Sequence, residues 1–273
     1  MAMGFPARLF SVILRVSPGR VRNWMWKWWY QRLAKAHRRS DFRFMNYGYK
    51  DDKGPKLSRE DEPNRLFIQL YHMNIRDIDL QGREVLEVGS GRGGGASWIA
   101  KYCEPESLVG VDFSKEAVRL SRKWYSEQEN LSFIEGNAES LPINDSAFDV
   151  VYNVESSHCY GNMRAFAGEV NRVLRAGGHF CWTDFRDEET MQKVQSLFVD
   201  SGFKLVSKKE ITREVLAALD EINEAKIEQI RENVPKSIRK SFETFAGVRG
   251  TPVYEGFHSG SLHYHRYLLV KSG

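Results

Sequence analysis

The stretch Glu87-Val88-Gly89-Ser90-Gly91-Arg92-Gly93-Gly94-Gly95 decides the fold of this 273-residue chain. It follows a short apolar run typical of a buried strand and precedes a helical pattern that starts at Ala96. Glycines suit such a turn because the backbone must bend tightly and approach a ligand without a Cβ in the way. Gly89, Gly91 and Gly94 also satisfy G-x-G-x-x-G, so a dinucleotide site is one interpretation of the turn.

Two acidic residues bear on which cofactor the turn serves. Glu87 ends the first strand, where its carboxylate would crowd a pyrophosphate but could accept hydrogen bonds linked to a cationic amino group. Asp112 ends the next strand, where an acidic side chain can bind both ribose hydroxyls. A dinucleotide and other cofactors that contain a ribose would both use Asp112, so this residue does not distinguish between them. Glu87 is the residue that favours a cofactor other than a dinucleotide.

Short β-rich runs alternate with helical stretches from Arg83 onward, an order that predicts an α/β fold. We expect a doubly wound, mostly parallel, seven-stranded Rossmann-like sheet in a domain over residues 61–273, with a helical cap at about 211–256 in which residues 211–245 are helical. Residues 1–60 are expected to form an N-terminal helical extension followed by a loop in which Tyr47 and Tyr49 close over the cofactor or simply pack. The predicted strands are residues 85–88, 108–111, 131–134, 148–152, 179–183, 203–206 and 262–270.

Five spaced blocks together carry a family resemblance. They resemble, in order, the conserved blocks of class I S-adenosylmethionine (SAM) methyltransferases. The match covers roughly residues 83–185 and is far more specific than any single block. The blocks are Glu87-x-Gly89-x-Gly91, Asp112 after Gly110-Val111, Gly136-Asn137-Ala138-Glu139, Phe148-Asp149-Val150-Val151 and Val173-Leu174-Arg175-Ala176-Gly177-Gly178.

That resemblance implies SAM as the cofactor and assigns its contacts. Glu87 and the turn at 89–91 would hold the methionine end, Asp112 the ribose, and Asn137 with the Ala138 backbone the adenine edge. Asn137 stands where the family commonly has Asp, and Ala176 where it commonly has Pro. An amide can still accept from the adenine amino group. The resemblance also places in the cofactor site Ser90, Phe113, Glu139 and Asn153.

The similarity continues outside the common core. Residues 61–65, 153–160 and 247–264 resemble the phthiotriolone/phenolphthiotriolone dimycocerosate methyltransferases. This resemblance implies an O-methyltransferase that acts on a lipid-like polyketide alcohol. The hydrophobic cap and aromatic tail would shape an apolar acceptor pocket.

Methylation of a hydroxyl requires alignment of the acceptor and removal of its proton. His158 follows the fourth strand and Asp184 ends the fifth, so both are expected at the sheet edge where such folds bind ligands. An imidazole paired with a carboxylate is a suitable general base. Glu155 is the competing catalytic residue, because it resembles the acidic residue of sterol C-methyltransferases.

Each of these three residues also has a structural interpretation. His158 could only hydrogen-bond a loop backbone, Asp184 could cap the helix expected near Glu188, and Glu155 could tether a loop. The sequence therefore leaves C-methylation of a terpenoid or sterol-like acceptor as the alternative to O-methylation.

No metal site is predicted. His263-x-His265 could present two imidazoles on one strand face, but the sequence shows no third ligand. Cys103, Cys159 and Cys181 are widely spaced and odd in number, which argues against a zinc knuckle or a disulfide framework. They fit a reducing, cytoplasmic location.

The basic character of the chain is confined to its N-terminus. Residues 1–40 contain nine Lys or Arg and no Asp or Glu, whereas the remainder holds 31 basic and 36 acidic residues. Four of the seven tryptophans fall within 20–30, where helical spacing gives an apolar face opposite a basic one. Such a helix packs on the body or a sister subunit, or lies on a membrane surface. Nucleic acid is not expected, because the body lacks a basic face.

Two further functions remain open at this stage. The first is a non-enzymatic membrane adaptor that retains a SAM-type fold for binding only. The second is a NAD oxidoreductase, which the glycine pattern alone permits. No apolar run reaches the roughly 20 residues that a membrane-spanning helix requires, and no secretory signal is expected.

Overall fold

A computed structural model describes residues 42–236 and 239–273. Within these ranges, seven strands form one sheet in the order β3-β2-β1-β4-β5-β7-β6. β7 is antiparallel to both of its neighbours, and the other pairs are parallel. This confirms the predicted doubly wound, mostly parallel, seven-stranded sheet. The strands are β1 (Glu84–Val88), β2 (Ser107–Asp112), β3 (Leu131–Glu135), β4 (Phe148–Val154), β5 (Leu174–Arg186), β6 (Phe203–Glu210) and β7 (His263–Lys271).

Largely apolar runs in the central strands build two cores, because successive side chains point to opposite faces of a sheet. Val85 and Val150 pack in the core on one face, and Leu86 and Val151 pack in the core on the other. Helices cover both faces. Those on the first face are α1 (Arg65–Ile75), α2 (Gly94–Tyr102) and α3 (Lys115–Trp124), and those on the second are α4 (Met163–Val173) and α5 (Glu188–Asp200).

Within the described residues, three helices lie between β6 and β7 along the chain: α6 (Thr212–Asn233), α7 (Arg239–Phe245) and α8 (Pro252–His258). The helical stretch predicted over 211–245 is divided between α6 and α7. Val234, which follows α6, has an extended backbone. The next residue is Pro235, which disfavours a helical conformation in the residue before it and has no amide hydrogen to donate.

The segment of residues 42–49, called the covering segment below, lies across the turn that follows β1. The Arg92 guanidinium donates a hydrogen bond to the Phe42 carbonyl at 3.1 Å. The Arg43 carbonyl oxygen would stand 2.6 Å from a Cβ placed on Gly94. This close approach explains a glycine at position 94.

The predicted Trp-rich helix and its basic face lie outside the described residues. The division into an extension at 1–60 and a domain at 61–273 stays a prediction. None of the described helices is long and apolar enough to cross a membrane.

Candidate active site

The glycine-rich turn lines a crevice at the carboxyl ends of the parallel strands. Gly89 has φ +82° and Gly91 φ +54°, backbone conformations that favour glycine. A Cβ on Gly89 would lie 2.3 Å from Ser156 Oγ. The Gly89 amide donates to the Val111 carbonyl at 2.8 Å, which holds the turn against β2. The turn therefore depends on glycine at position 89 for both its conformation and its space.

The Glu87 carboxylate is fully buried beside this turn. The Tyr152 hydroxyl donates to its Oε2 at 3.0 Å, whereas Oε1 has no hydrogen-bond partner among the described residues. Burial raises the pKa of Glu87 to about 8 in spite of that hydrogen bond. Glu87 lies next to the crevice rather than on its wall. Its unpaired oxygen is a group that a cationic partner would satisfy.

Asp112 lies on the crevice wall with both carboxylate oxygens oriented by backbone amides. Oδ2 accepts from the Gly91 amide and Oδ1 from the Ser114 amide, each at 2.8 Å. Burial raises the pKa of Asp112 to about 6. The neighbouring Phe113 ring also lines the crevice and is 37% exposed. The predicted ribose-binding carboxylate therefore shares one wall with an accessible aromatic ring.

The loop after β3 forms the next part of the wall. Asn137 is exposed, and its side-chain oxygen accepts from the Glu139 amide at 3.0 Å. Ala138 is buried against the second core. The Glu139 carboxylate accepts from the amides of Gly161 and Asn162 at 2.7 and 3.1 Å. Glu139 thereby ties this loop to the segment that follows β4.

Asn153, near the end of β4, organises the floor beneath the glycine turn. Its amide nitrogen donates to the Val88 carbonyl and to Ser156 Oγ, both at 2.7 Å. Ser156 Oγ is in turn 2.9 Å from the Tyr160 hydroxyl, and both of these residues line the crevice. Asn153 itself is fully buried, and its oxygen has no partner in the described ranges. It fixes the position of the wall residues.

His158 and Asp184 form the pair that the sequence predicted. His158 Nδ1 lies 2.8 Å from Asp184 Oδ1, and the His158 amide donates to Oδ2 at 2.9 Å. The Phe185 ring packs on the imidazole with the ring centres 4.6 Å apart. Burial alone would lower the pKa of His158, but Cys159 and the Asp184 carboxylate outweigh it and raise that pKa above its ordinary value. His158 lines the crevice, and Asp184 lies fully buried behind it.

Three side chains that sequence reasoning missed hold the Asp184 carboxylate. Ser157 Oγ donates to Asp184 Oδ2 at 2.6 Å, and Trp182 Nε1 donates to Ser157 Oγ at 2.9 Å. The Arg186 guanidinium lies 3.1 Å from Oδ1. Although burial opposes ionisation, Arg186 and His158 hold the pKa of Asp184 below its usual range. All three neighbours lie within two residues of His158 or Asp184 in sequence, which was the signal available.

The interpretation of Asp184 as a helix cap is wrong. The residue that caps α5 is Asp187, whose side chain accepts from the Thr190 amide at 2.9 Å. Asp184 instead accepts hydrogen bonds from the Ser157 hydroxyl and from the amides of His158 and Phe185, besides its contact with the imidazole. Its place inside the sheet, opposite His265 on β7, keeps it away from the helix terminus.

Glu155 lines the crevice but is occupied by structural contacts. Its Oε2 accepts from the Tyr47 amide at 2.9 Å and from the Tyr264 hydroxyl at 3.0 Å. Burial raises the pKa of Glu155 to about 8. These bonds connect the covering segment, the loop after β4 and β7. The interpretation of Glu155 as a loop-tethering residue therefore matches its contacts.

Tyr47 and Tyr49 have different surroundings. Tyr47 lines the crevice, and the buried Lys226 ammonium lies 5.7 Å from the centre of its ring. Lys226 Nζ donates to the Ala246 carbonyl at 2.9 Å, which ties α6 to the end of α7. Tyr49 is buried away from the crevice, and its hydroxyl accepts from Lys209 at 3.2 Å. Tyr47 covers the site, whereas Tyr49 packs.

A second, mostly apolar cavity adjoins the crevice and shares part of its lining. Its aromatic walls come from the covering segment, α1 and α7. Arg92 and Lys226 are the cationic side chains among the described residues that line it. The residues that line both cavities are Met45, Asn46, Tyr47, Arg92 and Phe245, and those of the second cavity alone are Phe42, Phe67, Lys226, Phe242 and Ala246.

The structure brings most of the predicted site residues to one crevice. Three of them, Glu87, Asn153 and Asp184, lie buried behind its wall and support residues that face it. The binding and catalytic roles of all of them stay predictions. Those on the wall are Gly89, Ser90, Gly91, Asp112, Phe113, Asn137, Ala138, Glu139, Glu155 and His158.

Comparison with known proteins gives consistent results. A family model described as "Methyltransferase domain" matches residues 86–182. The phthiotriol/phenolphthiotriol dimycocerosates methyltransferase of Mycobacterium tuberculosis (strain ATCC 25618 / H37Rv) is 33% identical over 267 residues, which cover 97% of this chain and 98% of that protein. The fatty-acid O-methyltransferase of Mycolicibacterium smegmatis is 34% identical over 244 residues, 89% of this chain and 88% of that protein.

The fold also matches solved structures. A geranyl diphosphate methyltransferase in complex with SAM superposes with a TM-score of 0.61 and 15% sequence identity, covering 84% of this chain and 98% of that one. At that identity the likeness concerns the fold. It places the chain's sheet and flanking helices among Rossmann-like methyltransferase structures.

Proposed function

The chain belongs to the family of SAM-dependent methyltransferases that includes the phthiotriol/phenolphthiotriol dimycocerosates methyltransferases, and we propose that it methylates a hydroxyl group of a hydrophobic, lipid-like acceptor. SAM, when bound, supplies an electrophilic methyl group on a sulfonium. The protein must then place the acceptor oxygen in line with that methyl group and remove the hydroxyl proton.

The residues present fit SAM. The turn at Gly89 leaves no room for a Cβ, and unpaired buried oxygens at Glu87 and Asn153 adjoin it. Glu87 and the turn residues would hold the methionine end, and Asp112 the ribose. Phe113 would pack on the adenine, whose edge would lie on the loop after β3. The remaining residues assigned to the cofactor site are Gly89, Ser90, Gly91, Asn137, Ala138, Glu139 and Asn153.

The His158–Asp184 contact of 2.8 Å is the observation that carries the proposal for a hydroxyl acceptor. Because Asp184 engages Nδ1, Nε2 of the imidazole is the nitrogen left to accept a proton at the crevice. The buried carboxylate orients the ring and stabilises the imidazolium that proton removal creates.

The contacts of Glu155 support a positioning role rather than a role at the acceptor. Its carboxyl holds Tyr47 and Tyr264, and with a pKa of about 8 it is mostly protonated at neutral pH. C-methylation of a terpenoid requires a group that stabilises a developing carbocation. A neutral carboxylic acid provides this stabilisation poorly. These features favour the oxygen acceptor.

Two observations support a hydrophobic acceptor. The aromatic side chains of the covering segment and α7 line the cavity that adjoins the crevice. Two relatives are named for dimycocerosates and for a fatty acid, and the second is named as an O-methyltransferase. We infer that the acceptor's apolar chain lies along this cavity while its hydroxyl reaches His158.

The test is a mass-spectrometric screen of lipid extracts incubated with the enzyme and methyl-labelled SAM. We expect a product heavier by one labelled methyl group. His158→Ala should reduce its formation by about 10²–10⁴-fold, the usual contribution of a general base. Glu155→Gln, which preserves an acceptor oxygen, should retain most activity. Loss of activity in Glu155→Gln with retention in His158→Ala would instead contradict the proposal and support a carbon acceptor.

A further inference from the structure

Two histidines and a glutamate converge at the edge of the sheet next to the site. His263 and His265 lie at the start of β7, two residues apart and therefore on one face. Glu188, the first residue of α5, completes the group. One ligand atom from each residue lies within 4.8 Å of those of the other two. The fold thus supplies the third ligand that the sequence did not reveal.

The imidazole of His265 packs edge-on against the Tyr267 ring, with the ring centres 5.8 Å apart, but within the described structure its nitrogens are unpaired. Its side chain is 3% exposed, and neither Nδ1 nor Nε2 has a hydrogen-bond partner among the described residues. A buried polar group without a partner is costly unless something unseen satisfies it. A cation bound by the imidazole would account for this.

His263 is oriented as a metal ligand is. Its Nδ1 lies 3.0 Å from Glu210 Oε1 at the end of β6. Because a carboxylate only accepts, Nδ1 carries the proton of the neutral ring, which leaves the lone pair of Nε2 for a metal ion. A carboxylate that fixes the tautomer of a histidine in this way is the usual neighbour of a zinc-binding imidazole.

We propose that Glu188, His263 and His265 bind one zinc ion. Two imidazoles and a carboxylate form a donor set that suits Zn²⁺, at bond lengths of about 2.0–2.2 Å. Such lengths require the ligand atoms to approach to roughly 3.4 Å, the separation that tetrahedral angles impose. Glu188 is exposed, so its side chain can make that movement.

The ion ties the start of α5 to β7 beside the catalytic pair. His265 stands opposite Asp184 in the β5–β7 register, and His263 stands opposite Arg186. The zinc therefore has a structural role and fastens the strand pair that carries Asp184. This proposal does not depend on the identity of the methyl acceptor.

The experiment measures the binding of zinc to the protein, with no other ligand added. The full chain and its variants are dialysed against zinc chloride, and bound zinc is determined by mass spectrometry and by competition with a zinc-binding dye. We expect about one zinc per chain and a higher melting temperature with zinc, since a ligand that binds the native state stabilises it.

Variants locate the ion. Glu188→Gln and His263→Ala change side chains that are not buried, so the chain should still fold, and both should abolish the tight site and the zinc-dependent rise in melting temperature. Glu210→Gln should weaken binding by about 10–100-fold through loss of the orienting bond. Glu189→Gln is the matched control, because Glu189 is exposed and pairs with Lys193. Absence of tight zinc, or equal zinc content in Glu188→Gln and Glu189→Gln, would overturn the proposal.

Discussion

Cys159 and the Asp184 carboxylate together raise the pKa of His158, so they would set the pH at which the imidazole acts as the proposed base. The pKa of His158 is raised, so the ring is charged at neutral pH and becomes able to accept a proton only as pH rises. We expect kcat/KM to increase with pH through a midpoint above about 6.5, the ordinary histidine value.

Removal of the Asp184 carboxylate should shift the midpoint of the pH–rate profile in a defined direction. Asp184→Asn removes one of the two groups that raise the pKa of His158, the other being Cys159, so the midpoint should move to lower pH while the plateau rate falls because the ring loses its orientation. Asp187→Asn, which alters only the α5 cap, should leave the midpoint unchanged. A pH–rate profile that is identical in Asp184→Asn and the parent would contradict this assignment.

Glu155 is a stability element with an uncommon backbone. Its φ is +50°, and its carboxyl joins the covering segment to β7. Glu155→Ala should lower the free energy of unfolding by about 1–3 kcal/mol, because the Tyr47 amide and the Tyr264 hydroxyl lose their acceptor. Glu155→Gln keeps an acceptor oxygen and should cost less. Equal losses in the two variants, measured by urea denaturation, would show that these hydrogen bonds are not what holds the segment.

Among the elements, the turn between β1 and α2 gives the sharpest test of cofactor binding. Gly89→Ala should weaken SAM binding strongly in calorimetry, because a Cβ would lie 2.3 Å from Ser156 Oγ and displace the crevice floor. Gly250→Ala is the control, since Gly250 also has a positive φ, +80°, but nothing lies within 4 Å of its Cβ position. Both should lose about 1–2 kcal/mol of stability from the strained backbone.

SAM affinity in these two variants separates the effects of space and strain. Gly250→Ala should bind SAM as the parent does. A similar loss of SAM affinity in both variants would mean that strain, and not the space at the turn, limits binding.

The strands were the most predictable elements. Runs such as 85–88 and 148–152 are mostly apolar, with one acidic residue in each (Glu87 and Asp149), which is typical of strands buried on both faces, and all seven predicted strands are present. The position of β7 between β5 and β6 could not be derived from local pattern, because pairing depends on contacts distant in sequence. A helix was expected near Glu188, but its cap at Asp187 and its buried face, which includes Met191 and Phe198, are clear only in the structure.

Site residues at the carboxyl ends of strands could be predicted from the sequence. Glu87, Asp112, His158 and Asp184 each lie at or just after the carboxyl end of a strand, so the topology of the fold already brings them together. Contacts between distant elements were not predictable. The Tyr264 bond to Glu155 and the approach of Glu188 to His265 both depend on how β7 is placed.

At the scale of the whole molecule, charge is strongly segregated. The nine basic residues of 1–40 precede a body in which acidic residues exceed basic ones by five. Basic residues close to an anionic membrane contribute about 1 kcal/mol each, and salt screens them. We expect the full chain to sediment with phosphatidylserine vesicles at low salt and a chain lacking residues 1–40 to remain in the supernatant.

The controls for this prediction are neutral vesicles and high salt. Both should release the full chain if its basic residues provide the attraction. Equal sedimentation of the full and shortened chains would show that residues 1–40 do not contact the membrane. That result would favour the alternative, in which the Trp-rich segment packs on the body or on a second subunit.

The insertion of β7 between β5 and β6 has a consequence for how the protein is made. The ribosome delivers β5 and β6 well before β7. Until β7 is in place between them, these two strands are not joined, and the edges that β7 will cover stay open to other chains. Closure of the sheet must wait until residues 263–271 leave the exit tunnel. The nascent polypeptide is therefore most exposed to aggregation during the synthesis of the cap helices, and chaperone demand should peak in that interval.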